Sequence, residues 1–325
     1  MKKLFWLLTA ILLASFHRAE AQQPTQVPSI AYLSSGQGFV SSERRQAFRQ
    51  GLRELGYVEE KNLIVEYRYA EGNSERLAAL AAELVRLKID VIVTSGPPGT
   101  RAAKKATTTV PIVMAHDPDP LGSGFIASLA RPGGNITGLS SLVAQLGGKR
   151  LELLRELIPK LSRVAVLGTS TNPSNVQMAT EIEVAARPIG IRIQFVDVQD
   201  SKEIEGGFRA ATKGRADALF VLANPITTSH RRQVANLAVK SRLPAIYDRP
   251  EFVEDRGLMT YTVNGTELFR RAATFVDKIL KGAKPADLPV ERATKFELEI
   301  NLKTAKQIGL TIPANVLARA DRVIK

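Results

Sequence analysis

Apolar runs of four to eight residues alternate along this chain with longer stretches whose apolar residues recur every three or four positions. SIAYLSS (29–35), LIVEYRY (63–69), VIVT (91–94), PIVMA (111–115) and ITGLS (136–140) predict strands. Between them, Ser41 to Leu55 sets Phe48, Leu52 and Leu55 on one helical face and stops at Gly56. Ser74 to Leu87 predicts a helix capped by Asn73, Gly99 to Thr107 another, and Gly124 to Ala130 a short one ended by RPGGN. The alternation then restarts. Helices are expected over 145–157, 174–187, 202–213, 227–241 and 266–280. The matching strands are RVAVLG (163–168), IRIQFVDV (191–198), ALFVLA (218–223), PAIYD (244–248) and GLMTYTV (257–263). A Lys- and Pro-rich stretch leads to the alternating run VERATKFELEIN, and the tail predicts two short helices broken at Ile312-Pro313.

Such alternation builds parallel sheets covered by helices on both faces. Two rounds of it predict an α/β chain of two doubly wound parallel-sheet lobes. Crossings are expected at 139–146, 257–265 and 283–292, making a multi-strand hinge. On that division, residues 28–141 with 264–284 form lobe 1, and residues 142–258 with 288–325 form lobe 2.

Composition changes the picture mainly at the N-terminus. Lys2 and Lys3 precede a 13-residue apolar run, Leu4 to Phe16, and Ala19-Glu20-Ala21 fits a small-x-small cleavage site. The run is shorter than the ~20 residues that cross a bilayer. Residues 1–21 are therefore expected to be an export signal, with the mature chain starting at Gln22 in the periplasm. The absence of cysteine excludes disulfides, thiolate metal sites, a cysteine nucleophile and a lipid-attachment cysteine. Of the three histidines His17 lies in the signal, which argues against a histidine-rich metal site. The formal charge of +13 falls to +11 without residues 1–21, which hold three cations and one anion. Acids are mixed with the bases, as in SERRQAFRQGLRELGYVEEK, and no Arg/Lys stripe is interleaved with aromatics. This reads as a solvated basic surface, not as a nucleic-acid site.

In open α/β sheets, ligands sit beyond the carboxyl ends of the strands. Those ends are small and polar in both halves. They read Ser34-Ser35-Gly36, Thr94-Ser95-Gly96-Pro97-Pro98-Gly99-Thr100, Ala115-His116-Asp117-Pro118, Gly168-Thr169-Ser170-Thr171-Asn172-Pro173, Ala223-Asn224-Pro225 and Tyr247-Asp248-Arg249. A helix start next to each offers free N–H groups and a favourable dipole to a carboxylate or phosphate. One reading makes these ends two rims of one cleft. The other is local, with Asn172 and Asn224 as caps, the Asx-Pro pairs as turns, and Asp117 and Asp248 ordering their own loops. No nucleophile elbow, zinc-protease helix or P-loop occurs, and SSGQGF lacks the third glycine of a dinucleotide fingerprint. His116-Asp117 is a bare neighbour pair, short of an acid–base constellation. No cofactor, metal or catalytic residue is expected.

The chain resembles the family of ABC-transporter substrate-binding proteins that includes the tryptophan-type binding proteins. The resemblance is carried by FRQGLRELGYVEEKNLIVEYRYAEG, LVRLKIDVIVTSG, VPIVMAHDPDPLGSGFIASLARPGGNITGLS, KRLELLRELIPKLSRVAVL and INLKTAKQIGLTIPANVLARADRVI. It implies the two-lobed type I periplasmic-binding-protein fold, capture of a small molecule between the lobes, and delivery to a permease and its ATPase. Characterised relatives bind aromatic amino acids. By position, the resemblance implies ligand contacts from Ser95, Gly96 and Thr100, then Asp117, then Thr171, Asn172 and Asn175, then Asn224, and finally Asp248. Ser35 joins them from the strand-end pattern, and Phe39 and Phe252 are candidate apolar walls. Where tryptophan-type members tend to have Ala-Thr-x-x-Ala-Gln, this chain reads TSGPPGTRAAKKA, so the pocket wall differs. The expectation is a monomeric, non-enzymatic binder of an amino acid or other carboxylate-bearing molecule that closes on its ligand. The alternatives are a ligand sensor for a separate membrane receptor, and an enzyme on the same fold.

Overall fold

The computed structural model describes residues 27–36, 42–141 and 146–325. The expected signal segment, Gln22 and Phe39 lie outside the described residues. Strands β1 (Ser29–Ser34), β2 (Ile64–Tyr69), β3 (Val91–Ser95), β4 (Ile112–Asp117) and β5 (Ile136–Ser140) run parallel in the order β5-β4-β3-β1-β2. The inner strands are buried on both faces, which is why they read as unbroken apolar runs. Between them come α1 (Ser42–Glu54), α2 (Ser74–Arg86) and α3 (Gly96–Ala106). Leu77, Ala81 and Leu84 of α2 and Ala103 of α3 pack against Leu33, Ile92, Ile112 and Met114 on one face of this sheet. The stretch 124–130, expected as a helix, is a series of turns. Gly124 adopts φ +66, the N–H groups of Gly124 and Phe125 go to Leu121 and Pro120, and that of Ala127 goes to Pro132, so no helical ladder propagates.

After α4 (Gly147–Leu157) comes a second parallel set: β6 (Arg163–Gly168), β7 (Arg192–Asp197), β8 (Ala218–Val221), β9 (Ala245–Tyr247) and β10 (Met259–Val263), ordered β10-β9-β8-β6-β7. Leu151, Leu154 and Leu157 of α4 and Ile182 of α5 (Pro173–Ala186) cover Val164, Val166, Phe220 and Ile246. The opposite face receives Phe208 of α6 (Ile204–Lys213), then, past α7 (Pro225–Ser229), Val234 of α8 (Arg231–Lys240) and Phe252 of α9 (Glu251–Glu254).

The chain then returns to the first sheet. Helix α10 (Gly265–Leu280) lays Leu268, Phe269, Ala272 and Val276 on Tyr32, Val93 and Val113, beside Phe48 and Leu52 of α1. Gly51 permits this packing, since a Cβ there would lie 2.3 Å from the Arg270 carbonyl oxygen. Strand β11 (Glu291–Arg292) pairs with β5, so these two residues stand in the first sheet although the sequence placed them in lobe 2. Strand β12 (Phe296–Asn301) joins the second sheet antiparallel to β10. The two tail helices, α11 (Leu302–Ile308) and α12 (Ala314–Leu317), are followed by an unexpected strand, β13 (Arg322–Ile324), parallel to β12. The chain thus passes between the sheets after β5, after β10 and after β11.

Candidate functional site

The carboxyl ends of β3, β4 and β5 form one rim. Register slips between Thr94 and Ser95 on β3 and between Met114 and Asp117 on β4, so the last residues of both strands leave the regular ladder. Gly138 makes the slip possible. It lies opposite Met114 at φ +129, and a Cβ on it would sit 2.3 Å from the Met114 carbonyl oxygen.

Asp117 is fully buried. Its Oδ1 accepts the Asp119 N–H at 3.0 Å, its carbonyl accepts the Ser141 N–H at 2.8 Å, and its Oδ2 has no partner. Burial raises its pKa to about 7, the Asp119 N–H opposing the shift. The Ser140 hydroxyl, at the end of β5, is likewise buried without a partner. On β3, Thr100 shares a 2.8 Å hydrogen bond with Thr94 and donates to the Gly96 carbonyl, so its hydroxyl closes the turn into α3. Gly96 is at φ +76, and Ser95 starts the helix without a side-chain cap bond. Pro97 and Pro98 fill the first turn of α3 and carry no N–H, so this helix start is poor in donors for an anion. Ser35 is half-buried, and its carbonyl accepts the Gly72 N–H at 2.7 Å.

The second rim is built from β6, β8 and β9. Asn175 is buried and well bonded: Oδ1 accepts from Thr169 N–H and Asn224 Nδ2, both at 3.0 Å, and Nδ2 donates to the Ala223 carbonyl at 3.1 Å. Asn224 caps α7 in a capping box with Thr227, and Asn172 caps α5 through the Ser174 N–H. Thr171 is exposed. Phe252 is fully buried, stacked on Tyr247 at 4.8 Å between ring centroids, and belongs to the core. Asp248 is buried, with Oδ2 accepting the Ala223 N–H at 2.9 Å and Oδ1 without a partner. Burial raises its pKa, against the attraction of Arg150 and Arg249.

The rims approach each other. Gln177 of α5 donates to Asp119, in the loop after β4, at 3.2 Å. His116 at the end of β4 feels the charges of Arg44 on α1 and of Arg249 after β9. Burial, reinforced by those cations, lowers its pKa to about 3, so its imidazole is neutral at physiological pH. Arg44 also feels Glu251 of α9. His116 at the end of β4 thus lies within electrostatic range of Arg249 after β9, and Asp117 and Asp248 each hold a buried carboxylate oxygen with no partner. Such groups are costly to leave unmet, and a ligand ammonium or hydroxyl satisfies them. Among the described residues, no three His, Asp or Glu side chains gather as a metal site.

Sequence reasoning did not single out Arg150, Arg44 or Ser140, and it named Arg249 only within the strand-end pattern. Arg150 had a visible signal: it shares the apolar stripe of α4 with Leu154 and Leu157, an odd position for a cation.

Over residues 35–324 the chain matches the family of ABC transporter substrate binding proteins, and it belongs to that family. It is 24% identical over 266 residues to a tyrosine-binding protein of Clostridioides difficile, covering 82% of this chain and 76% of that protein. A conserved domain protein from Vibrio cholerae superposes with a TM-score of 0.81 at 27% identity, covering 92% of this chain and 100% of that one. An ABC domain from Streptococcus pneumonia, solved in complex with L-Trp, superposes with a TM-score of 0.80 at 27% identity, covering 91% of this chain and 99% of the other. The fold is that of the type I periplasmic binding proteins. Among the described residues, no helix is long and apolar enough to cross a membrane.

Proposed function

We propose that this chain is the periplasmic substrate-binding component of an ABC uptake system, capturing an amino acid between its sheets and passing it unchanged to a permease. The observation that carries this reading is a pair of buried carboxylate oxygens without partners, Asp117 Oδ2 and Asp248 Oδ1, one at the carboxyl end of a strand in each sheet. Two such idle acceptors suit a ligand that carries an amine. The likeness to a tyrosine-binding protein and to a domain solved with L-Trp favours an aromatic amino acid. Binding at both rims stabilises the closed arrangement only so far as the ligand prefers it.

Isothermal titration of the mature chain with the proteinogenic amino acids, followed by mass spectrometry of the recovered ligand, tests the reading. Micromolar or tighter binding of L-tryptophan or L-tyrosine, recovered intact, is the expected result. Binding of no amino acid, or recovery of a converted product, contradicts it.

A further inference from the structure

Arg150 is fully buried, and only one of its donors is used: Nε donates to the Tyr261 carbonyl at 2.7 Å. Its Nη1 and Nη2 are buried with no acceptor. The guanidinium lies over the Phe220 ring, 5.7 Å from its centroid. Asp248 is close enough for the two charges to act on each other, yet no hydrogen bond joins them, and its Oδ1 is also unpartnered. A buried cation and a buried anion thus lie within electrostatic range of one another, each with polar atoms unused.

Thr260 of β10 pairs with Tyr247 of β9, so Tyr261 is level with Asp248 at the carboxyl end of the sheet. Arg150 sits in the first turns of α4, just after the chain leaves the first sheet. Tyr261 is itself braced by Phe296 at 5.9 Å. A carbonyl on one side and an aromatic ring on another therefore hold the guanidinium near the carboxyl end of the second sheet.

We infer that Arg150 is the anchor for the carboxylate of the captured ligand, with Asp248 taking its ammonium. This rests on the amino-acid reading above and assigns the polar end of the ligand to the second sheet. The two Nη donors present the planar fork that a carboxylate accepts in bidentate fashion. An α-amino acid carries a carboxylate and an ammonium on one carbon, complementary in sign to Arg150 and Asp248. Both protein groups are already desolvated and held, so little ordering is left for binding to impose. A purely structural arginine would spend its fork on carbonyls or on Asp248, and this one spends only Nε. The start of α3, with prolines in its first turn, is a weaker anion site.

The test is titration calorimetry of the full mature chain with L-tryptophan and with L-tryptophanamide, whose neutral carboxamide replaces the carboxylate. In the wild type the amide binds roughly 10- to 100-fold more weakly, the range for charge-assisted hydrogen bonds. In Arg150→Gln that ratio falls to near one, because L-tryptophan alone loses affinity. In Asp248→Asn the ratio persists while both probes weaken. Circular dichroism melts establish that each variant is folded; if Arg150→Gln is not, Arg150→Lys serves in its place, and its single point charge narrows the ratio. A folded Arg150 variant that keeps the wild-type ratio overturns the assignment and leaves the amino-acid reading standing. A wild type that binds neither probe nor any other amino acid overturns both.

Discussion

Asn224 Nδ2 donates to Asn175 Oδ1 at 3.0 Å, so two residues expected at the ligand are joined to each other. The bond ties the loop after β8 to the first turn of α5, and Asn175 also holds the Thr169 N–H and the Ala223 carbonyl. Asn175→Ala leaves several buried polar groups unpaired, and we expect it to lower stability by roughly 2–4 kcal/mol, a few hydrogen bonds' worth. Urea denaturation checks this. Undiminished stability together with a large loss of ligand affinity would place Asn175 at the ligand after all.

Asp117 and His116 predict opposite pH slopes. The folded pKa of Asp117 is raised from 3.8 to about 7, so the native state binds more protons, and stability is lost as pH rises through that window. The folded pKa of His116 is lowered from 6.5 to about 3, so the unfolded chain binds more protons, and stability is lost as pH falls through that window. The two trends oppose each other between about pH 4 and 6.5, each at up to ~1.4 kcal/mol per pH unit. Relative to wild type, Asp117→Asn should therefore gain stability with rising pH, and His116→Gln should lose it. Thermal unfolding across pH 4 to 7 measures both. Variant curves parallel to wild type would mean that neither group is perturbed in the fold.

Gly138 is the least replaceable residue of the first rim. A methyl group there meets the Met114 carbonyl oxygen at 2.3 Å and nitrogen at 2.6 Å, in a backbone conformation with φ +129. Neighbouring strands β4 and β5 would have to part. Gly138→Ala should destabilise by more than ~3 kcal/mol, beyond the usual range for a point substitution. An unfolding midpoint within a degree or two of wild type would show that the sheet yields there at little cost.

Closure should be visible in solution. The Gln177–Asp119 bond and the field of Glu251 on Arg44 both bridge the two sheets. Small-angle scattering should give a smaller radius of gyration with saturating ligand than without it. The same radius in both states would argue for a cleft that fills without moving.

The alternation of strands and helices was legible because every inner strand is buried on both faces and so reads as an apolar run. Two misplaced pieces had weak local signals. Strand β11 is only Glu291 and Arg292, polar residues paired by backbone alone, and β13 follows a helix pattern that gives no warning of it. At the site, the strand-end residues were visible but their roles were not. Asn172 and Asn224 cap helices and Thr100 closes a turn, and small polar residues suit a cap and a ligand contact equally well. Buried atoms left without partners, such as those of Asp117, Asp248, Arg150 and Ser140, are what single out candidates for a ligand, and they depend on tertiary placement.

The most direct measurement is a crystal structure of the mature chain grown with whichever aromatic amino acid raises its melting temperature most. The account predicts ligand density between the β4 and β9 ends, its polar end within hydrogen-bond distance of Asp248 and Arg150. Density elsewhere on the molecule, or a cleft that stays empty at saturating ligand, would contradict it.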